Sequence, residues 1–429
     1  MFFEDGEPMT RLFESSRPSL SRRGTTTAAG LALILVLSAG PGMSPAAAAE
    51  KSLSQAHYEK LSAARDLMNG GNYATAVNKL NALLKQVYDD DYSAAVVLQA
   101  LGYAHLNNDL KPLAIQDFER SLARQALPAA PTRDVQHVLG RLYAEEGRYD
   151  KARATLEDWI AARRQDPSAA DYISLANVYA QLKDYDKGIA AIKKALAMNA
   201  EANESHYRLL VAMQYQSKRY EAATDTLKTM IEHWPGKARY WSQLANIYLQ
   251  AGDNEKAHSV LKLAYYEDNL DKTSDILSLA RLGMTTGVPD QAARVLADAL
   301  KKNRIDSNEQ NWRLLAQAWR QANEMPQAIA ALDHVAAFGN EGEVRMRQAE
   351  LYMNQNSWRQ VLAYVNKAIA AGDLGSPGKA YLLKGMAYTR LNDYEQSLAA
   401  LRQAGQYQDM AGQARQWSQY VEKKKELDS

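Results

Sequence analysis

Cysteine is absent from all 429 residues, which excludes disulfides, thiolate metal ligands, a cysteine nucleophile and a lipidated N-terminal cysteine. An excess of one charge is absent too. Lysine and arginine number 51 against 50 aspartates and glutamates, so no electrostatic feature marks nucleic acid or an anionic membrane as the main partner. Proline and phenylalanine are scarce, 12 and 5, against 24 tyrosines, a balance that suits helices packed through amphipathic rings. Chemistry-bearing constellations are also missing. The seven histidines, at 57, 105, 137, 206, 233, 258 and 334, never pair at metal-ligand spacing. There is no phosphate-binding glycine loop and no serine nucleophile motif. Asp89-Asp90-Asp91 offers three carboxylates to a cation, but consecutive residues point in different directions and a solvated loop is the simpler reading. The sequence therefore nominates no catalytic, cofactor-binding or metal residue and no cofactor.

Long apolar runs are equally rare. Residues 28–39 (AAGLALILVLSA) span about 12 positions, short of the roughly 20 needed to cross a bilayer. Arg17, Arg22 and Arg23 precede the run and the small-residue stretch SPAAAAE follows it, the pattern of an export signal over residues 1–49. Two readings stand, a signal cleaved after Ala49 and a retained anchor. Gly24-Thr25-Thr26 lacks the apolar residues of a twin-arginine signal, which favours a Sec-type route, and Met9 is an alternative start. The mature chain is then expected in the periplasm, meeting a membrane only through partners.

The rest of the chain repeats itself. Residues 238–269 hold Trp241, Leu244, Ala245, Tyr248, Gly252, Ala257, Leu261 and Ala264, large and small side chains spaced for two antiparallel helices joined by a turn. Ala245 and Ala257 allow close approach, Trp241, Tyr248 and Leu261 fill the space around them, and Gly252 suits a left-handed turn. The same register returns about every 33 to 38 residues. A small residue in the first helix reads Ala64, Gly102, Gly140, Ala176, Val211, Ala245, Ala280, Ala316, Ala349 and Gly385. A large one in the second helix reads Leu80, Phe118, Leu156, Ile192, Leu227, Leu261, Leu296, Leu332, Val365 and Leu401. These are the offsets of a tetratricopeptide repeat. The expected fold is all-α, a right-handed superhelical solenoid of about ten helix–turn–helix repeats over residues 50–409, with a C-terminal capping helix and polar tail over 410–429. Ala411, Ala414, Trp417 and Val421 would form the inner face of the cap, and EKKKELDS a solvated end. Residues 125–133 (QALPAAPTR) and 373–378 (DLGSPG) read as linkers that loosen the stack. The seventh repeat looks degraded, with Gly283 in a tyrosine position, and Asn323-Glu324-Met325 departs from the usual turn of the eighth. His105 occupies the position of Tyr143, Tyr179 and Tyr248 and reads as a core substitute.

Function then falls to the surface. Two residues after the packed tyrosine, the first helices place Asn107, Gln181, Gln216, Gln250, Gln321 and Asn354, with Glu145, Thr285 and Arg390 at the remaining sites, and Asn177 and Asn246 nearby. An amide carries donors and an acceptor and can bind the backbone of an extended peptide whatever its side chains. The eight amides are expected to line a concave groove holding an extended segment of a partner protein. The competing reading is that glutamine is simply a good exposed helix former.

Beyond the generic repeat, VVLQALGYAHL with AIQDFERSLARQALP, LYAEEGRYDKARATLEDW, YWSQLANIYLQAGD, KLAYYEDNLD, GVPDQAARVLADAL and AYLLKGMAYTRLNDYEQSLAALRQA with ARQWSQYVE resemble a bacterial family. These are periplasmic tetratricopeptide proteins found with TonB–ExbB–ExbD energy-transduction systems in gammaproteobacteria. The resemblance implies a non-enzymatic accessory subunit that contacts TonB, ExbB or ExbD and supports uptake of iron–siderophore or haem ligands. It carries over no individual functional residue, because the shared positions are packing positions. The alternatives are a scaffold for envelope assembly or polysaccharide export and, from another class, a periplasmic enzyme or small-ligand receptor.

Overall fold

Inside each of the ten helix pairs among the described residues, a left-handed backbone residue separates the two helices, and this turn sets the architecture. The computed structural model describes residues 2–3, 7–8, 52–162, 167–198 and 203–428. Among them are 21 helices, ten antiparallel pairs and a terminal helix. The only strands among the described residues, Phe2–Phe3 and Glu7–Pro8, pair antiparallel. Apart from these, the expected export signal lies outside the described residues.

The helices fall into two compact units, Met1–His233 and Trp234–Ser429. The first holds α1 (Gln55–Asn69), α2 (Tyr73–Val87), α3 (Asp91–Asn107), α4 (Lys111–Ala123), α5 (Ala129–Glu145), α6 (Tyr149–Ala161), α7 (Ala169–Gln181), α8 (Tyr185–Met198), α9 (Glu204–Gln216) and α10 (Tyr220–His233). The second holds α11 (Ala238–Gln250), α12 (Asn254–Tyr266), α13 (Thr273–Thr285), α14 (Pro289–Lys301), α15 (Glu309–Gln321), α16 (Met325–Ala336), α17 (Glu341–Asn354), α18 (Trp358–Ala371), α19 (Pro377–Arg390), α20 (Tyr394–Ala404) and α21 (Ala411–Leu427). Within each unit, every helix packs on the next in sequence.

The turn inside each pair uses one device. Gly71, Asp109, Gly147, Lys183, Lys218, Gly252, Gly287, Asn323, Asn356 and Asn392 all take positive φ, from 56° to 82°. The residue after the left-handed one donates its N–H back to the last full turn of the first helix. Arg148 bonds Tyr143 O at 2.8 Å and Asp253 bonds Tyr248 O at 2.9 Å, which satisfies carbonyls the helix end leaves open. Asn323 thus does in the eighth turn what glycine does in the sixth, and the expected departure there is only a change of side chain.

The two repeat positions picked out by size touch each other. A Cβ on Gly102 would stand 2.5 Å from the Phe118 ring, one on Gly140 2.8 Å from Leu156, and one on Gly385 2.6 Å from Leu401. Phe118 and Leu156 are fully buried. Gly283, in the tyrosine position, is also closely approached. The α13 helix is intact, and a Cβ at Gly283 would meet Ala292 at 3.1 Å and the His258 ring at 3.2 Å. The missing tyrosine is compensated by His258, whose burial pushes its pKa down. The seventh repeat is therefore rearranged, not degraded.

Neither linker is loose. Ala129 already starts α5, and Ala126 and Leu127 pack against the cores on either side. In the second, Asp373 Oδ1 accepts the Gly342 N–H at 2.7 Å, Glu343 Oε1 accepts that of Gly375 at 2.7 Å, and Leu374 joins the neighbouring core. Proline marks these segments because it starts a helix, where a missing N–H costs nothing. The cap is as expected over Ala414 and Val421, both buried, with Trp417 packed beside them. The tail is solvated as expected, Glu422, Lys423 and residues 425–428 being exposed, but it is helical: α21 continues to Leu427, Lys424 Nζ pairs with Asp428 at 2.9 Å, and the Tyr394 hydroxyl donates to the same carboxylate. Charged residues suit the exposed side of a helix as well as a coil, and composition alone did not separate the two.

Gly140→Leu should destabilise the fold by about 1–3 kcal/mol through overpacking against Leu156. Lys183→Gly and Lys218→Gly should each stabilise it by about 0.5–1 kcal/mol, the relief of a left-handed non-glycine residue less the entropy glycine adds to the unfolded chain. Urea unfolding of the three variants checks both signs, and an unchanged midpoint for Gly140→Leu would show that the repeat register is misplaced.

Candidate binding surface

Six of the eight nominated amides are the last residues of their helices: Asn107 in α3, Gln181 in α7, Gln216 in α9, Gln250 in α11, Gln321 in α15 and Asn354 in α17. The left-handed turn fixes this, because it ends every first helix at the same repeat position. Asn177 and Asn246 lie four residues earlier in α7 and α11, so Asn177/Gln181 and Asn246/Gln250 share a helix face. Asn107, Gln216, Asn246, Gln250, Gln321 and Asn354 are exposed, and Asn177 and Gln181 are half-buried.

Their hydrogen-bonding state separates them further. Asn177 Nδ2 donates to the Ile173 carbonyl of its own helix at 3.0 Å, so one of its donors is already used. The other seven amides hold no side-chain hydrogen bond among the described residues. An exposed, unpaired amide can pair with a backbone N–H and C=O of an incoming strand with no internal bond to break. Glu145, which interrupts the row, is tied up. Its Oε2 lies 2.8 Å from Lys111 Nζ, and its side chain is only 9% exposed.

Sequence reasoning missed Gln317. It sits on α15 four residues before Gln321, is exposed and holds no internal hydrogen bond, so it forms a third amide pair at the spacing of Asn246/Gln250. That i, i+4 spacing was the signal that would have found it. Arg281 on α13 takes the equivalent place in the seventh repeat and is exposed without an ion pair among the described residues. In the C-terminal unit the first helices therefore present Asn246/Gln250, Arg281/Thr285, Gln317/Gln321 and Glu350/Asn354 in succession.

The first helices are held in place by polar contacts between successive repeats. Tyr143 donates to Glu119 Oε1 on α4 at 2.6 Å, Lys151 on α6 reaches the same oxygen at 2.8 Å, and its ammonium lies over the Tyr143 ring at 5.3 Å. Tyr179, Glu157 and Lys187 repeat the arrangement one unit on. The Lys151 ammonium and the Tyr143 hydroxyl hold the Glu119 carboxyl below the usual range, against the opposing effect of its partial burial. Where His105 replaces the tyrosine it is buried and its Nδ1 lies 2.7 Å from Asp117, the core role expected of it. The acidic run is likewise divided: Asp90 caps α3 through Tyr92 N–H at 3.2 Å, and Asp91 pairs with Arg124 at 2.9 Å. No group of three or more potential metal ligands is assembled among the described residues.

Profiles described as tetratricopeptide repeat match residues 61–133, 100–170 and 277–342, residues 214–272, and residues 172–201 and 378–404. The helix pairs are tetratricopeptide repeats. No curated protein matches the chain in sequence. A tetratricopeptide repeat protein from Parabacteroides merdae is 15% identical, with 62% of this chain and 99% of that one covered and a TM-score of 0.36. MamA from AMB-1 is 25% identical over 41% of this chain and 91% of that one, with a TM-score of 0.34. The tetratricopeptide domain of P58(IPK) is 14% identical over 87% of this chain and 99% of that one, with a TM-score of 0.25. Tetratricopeptide proteins generally bind protein partners, and the fold is typically a non-enzymatic scaffold.

A partly buried contact between the first helices α5 and α7 titrates. Asp171 completes the capping box of α7 with Ser168, and its Oδ1 lies 2.5 Å from His137 Nε2 on α5. Burial alone would raise its carboxyl, but the bonds from His137 and Ser168 outweigh that and hold it below the usual range. A depressed folded pKa contributes stability in full above the unfolded value of about 3.9, and that contribution is lost as pH falls through the folded value. Asp171→Asn should therefore lower stability at neutral pH and flatten the loss of stability below about pH 4. Melting curves from pH 7 to pH 2.5 test this, and parallel wild-type and variant profiles would refute the linkage.

Proposed function

We propose that the protein is a non-enzymatic scaffold whose first-helix surface grips an extended segment of a partner protein through unpaired amides. The observation that carries this reading is the two exposed amide pairs of the C-terminal unit, Asn246/Gln250 and Gln317/Gln321, with no internal hydrogen bond among the described residues. Amides that merely favoured helix would be free to vary in position, whereas these recur at one register on α11 and α15, the first helices of the sixth and eighth repeats. Backbone-directed pairing gives affinity with little dependence on the partner's side chains.

The narrower proposal is a periplasmic protein serving a TonB–ExbB–ExbD system in iron–siderophore or haem uptake. The resemblance of the quoted segments and the signal-like N-terminus support it. Cross-linking and purification of the exported chain from its native cells should recover TonB, ExbB or ExbD. Recovery of polysaccharide-export or envelope-assembly proteins alone would overturn the narrower proposal. Replacing Asn246, Gln250, Gln317 and Gln321 together by alanine should weaken partner capture at least tenfold without lowering the melting midpoint. Undiminished capture by that variant would count against the amide clamp itself.

A further inference from the structure

The second helices of the C-terminal unit carry a cleft of about 760 Å³ between the end of α12 and the outer side of α14. None of the amides above lines it. Most of its polar groups satisfy each other. The Tyr265 hydroxyl donates to Asp298 Oδ2 at 2.6 Å, and Lys302 Nζ pairs with the same carboxylate at 3.0 Å. The Arg304 guanidinium lies 4.7 Å from the centre of the Tyr265 ring, pairs with Asp268 at 3.3 Å and donates to the Leu270 carbonyl. A floor locked in this way keeps its shape without a ligand.

Arg294 is the exception. It stands one helical turn before Asp298, is exposed, and makes no hydrogen bond or ion pair among the described residues. Tyr266, which lines the cleft with Arg294, is 65% exposed, and Leu263, at the cleft's edge on the same helix, is 52% exposed. The two are three residues apart on α12 and therefore share a face. An uncommitted guanidinium beside an exposed aliphatic and aromatic strip is a two-part recognition element.

We propose that this cleft binds an acidic peptide segment of a protein partner, with a carboxylate side chain held by Arg294 and an adjacent apolar side chain laid on Tyr266 and Leu263. A guanidinium matches a carboxylate through two parallel N–H bonds. A guanidinium pairs with phosphate too, but Arg294 alone balances a single carboxylate charge better than a phosphate's charge of about −1.5 to −2, since Lys302 and Arg304 already serve Asp298 and Asp268. The site lies on different helices from the amide surface and stands or falls independently of it.

The test is fluorescence anisotropy of the full chain with a labelled peptide of alternating glutamate and leucine. Binding should weaken at least tenfold in Arg294→Gln and in Tyr266→Ala, and should be lost when glutamine replaces glutamate in the peptide. The variant lacking the four first-helix amides should bind the peptide as the wild type does. Equal binding of the glutamine peptide, unchanged binding in Arg294→Gln, or displacement of the peptide by millimolar inorganic phosphate would each overturn the proposal, the last by showing a phosphate site.

Discussion

The contact between a residue without a side chain and a bulky one, Gly140 against Leu156 or Gly102 against the Phe118 ring, sets how near the two helices of a pair can lie. Interiors are packed to near-crystalline density, so the separation is fixed to within a methyl group. Everything on the surface inherits that spacing. The left-handed turn ends each first helix at the same repeat position, and in the first unit that position holds Asn107, Gln181 and Gln216. A binding surface of this kind is a by-product of core geometry. The surface residues themselves contribute little to stability and are free to serve recognition.

The polar contacts between repeats have a different task. Small–large packing brings the two helices of a pair together, but a smooth apolar face tolerates sliding of one pair over the next. Directional bonds resist it. The Tyr143–Glu119–Lys151 group joins three successive helices at one point, and Tyr179, Glu157 and Lys187 do so again at the next interface. The ion pair in each is half-exposed, so its net energy is modest. Its value lies in register, since a shift of one helical turn would separate all three partners.

Much of this was legible in the sequence because periodic packing leaves a periodic trace. Small residues at one offset and large ones at another announced a contact between them, and Gly102–Phe118 and Gly385–Leu401 are that contact. The errors share one cause, the reading of a residue type as if it had a single structural use. Asn323 looked like a departure because glycine is the usual left-handed residue, yet asparagine reaches the same φ of 61°. Gly283 looked like decay because the ring that replaces the tyrosine comes from His258, 25 positions earlier and on another helix. Pro128 suggested a loose linker and instead precedes the first turn of α5. Compensation between distant positions has no local signature in a single sequence.

The two faces of the C-terminal unit differ in a way that bears on how each recognises a ligand. The first helices offer Asn246, Gln250, Gln317 and Gln321, neutral groups whose pairing with a peptide backbone is barely screened by salt. The second helices offer an ionic cleft in which most charges cancel internally and Arg294 alone is open. Neutral amides give contacts indifferent to the partner's sequence, while a lone guanidinium flanked by Tyr266 and Leu263 demands an acidic residue beside an apolar one. A partner reaching both faces would gain grip from the first and selectivity from the second. The repeat fold permits this division because each helix of a pair turns one side to its neighbours and leaves the other open.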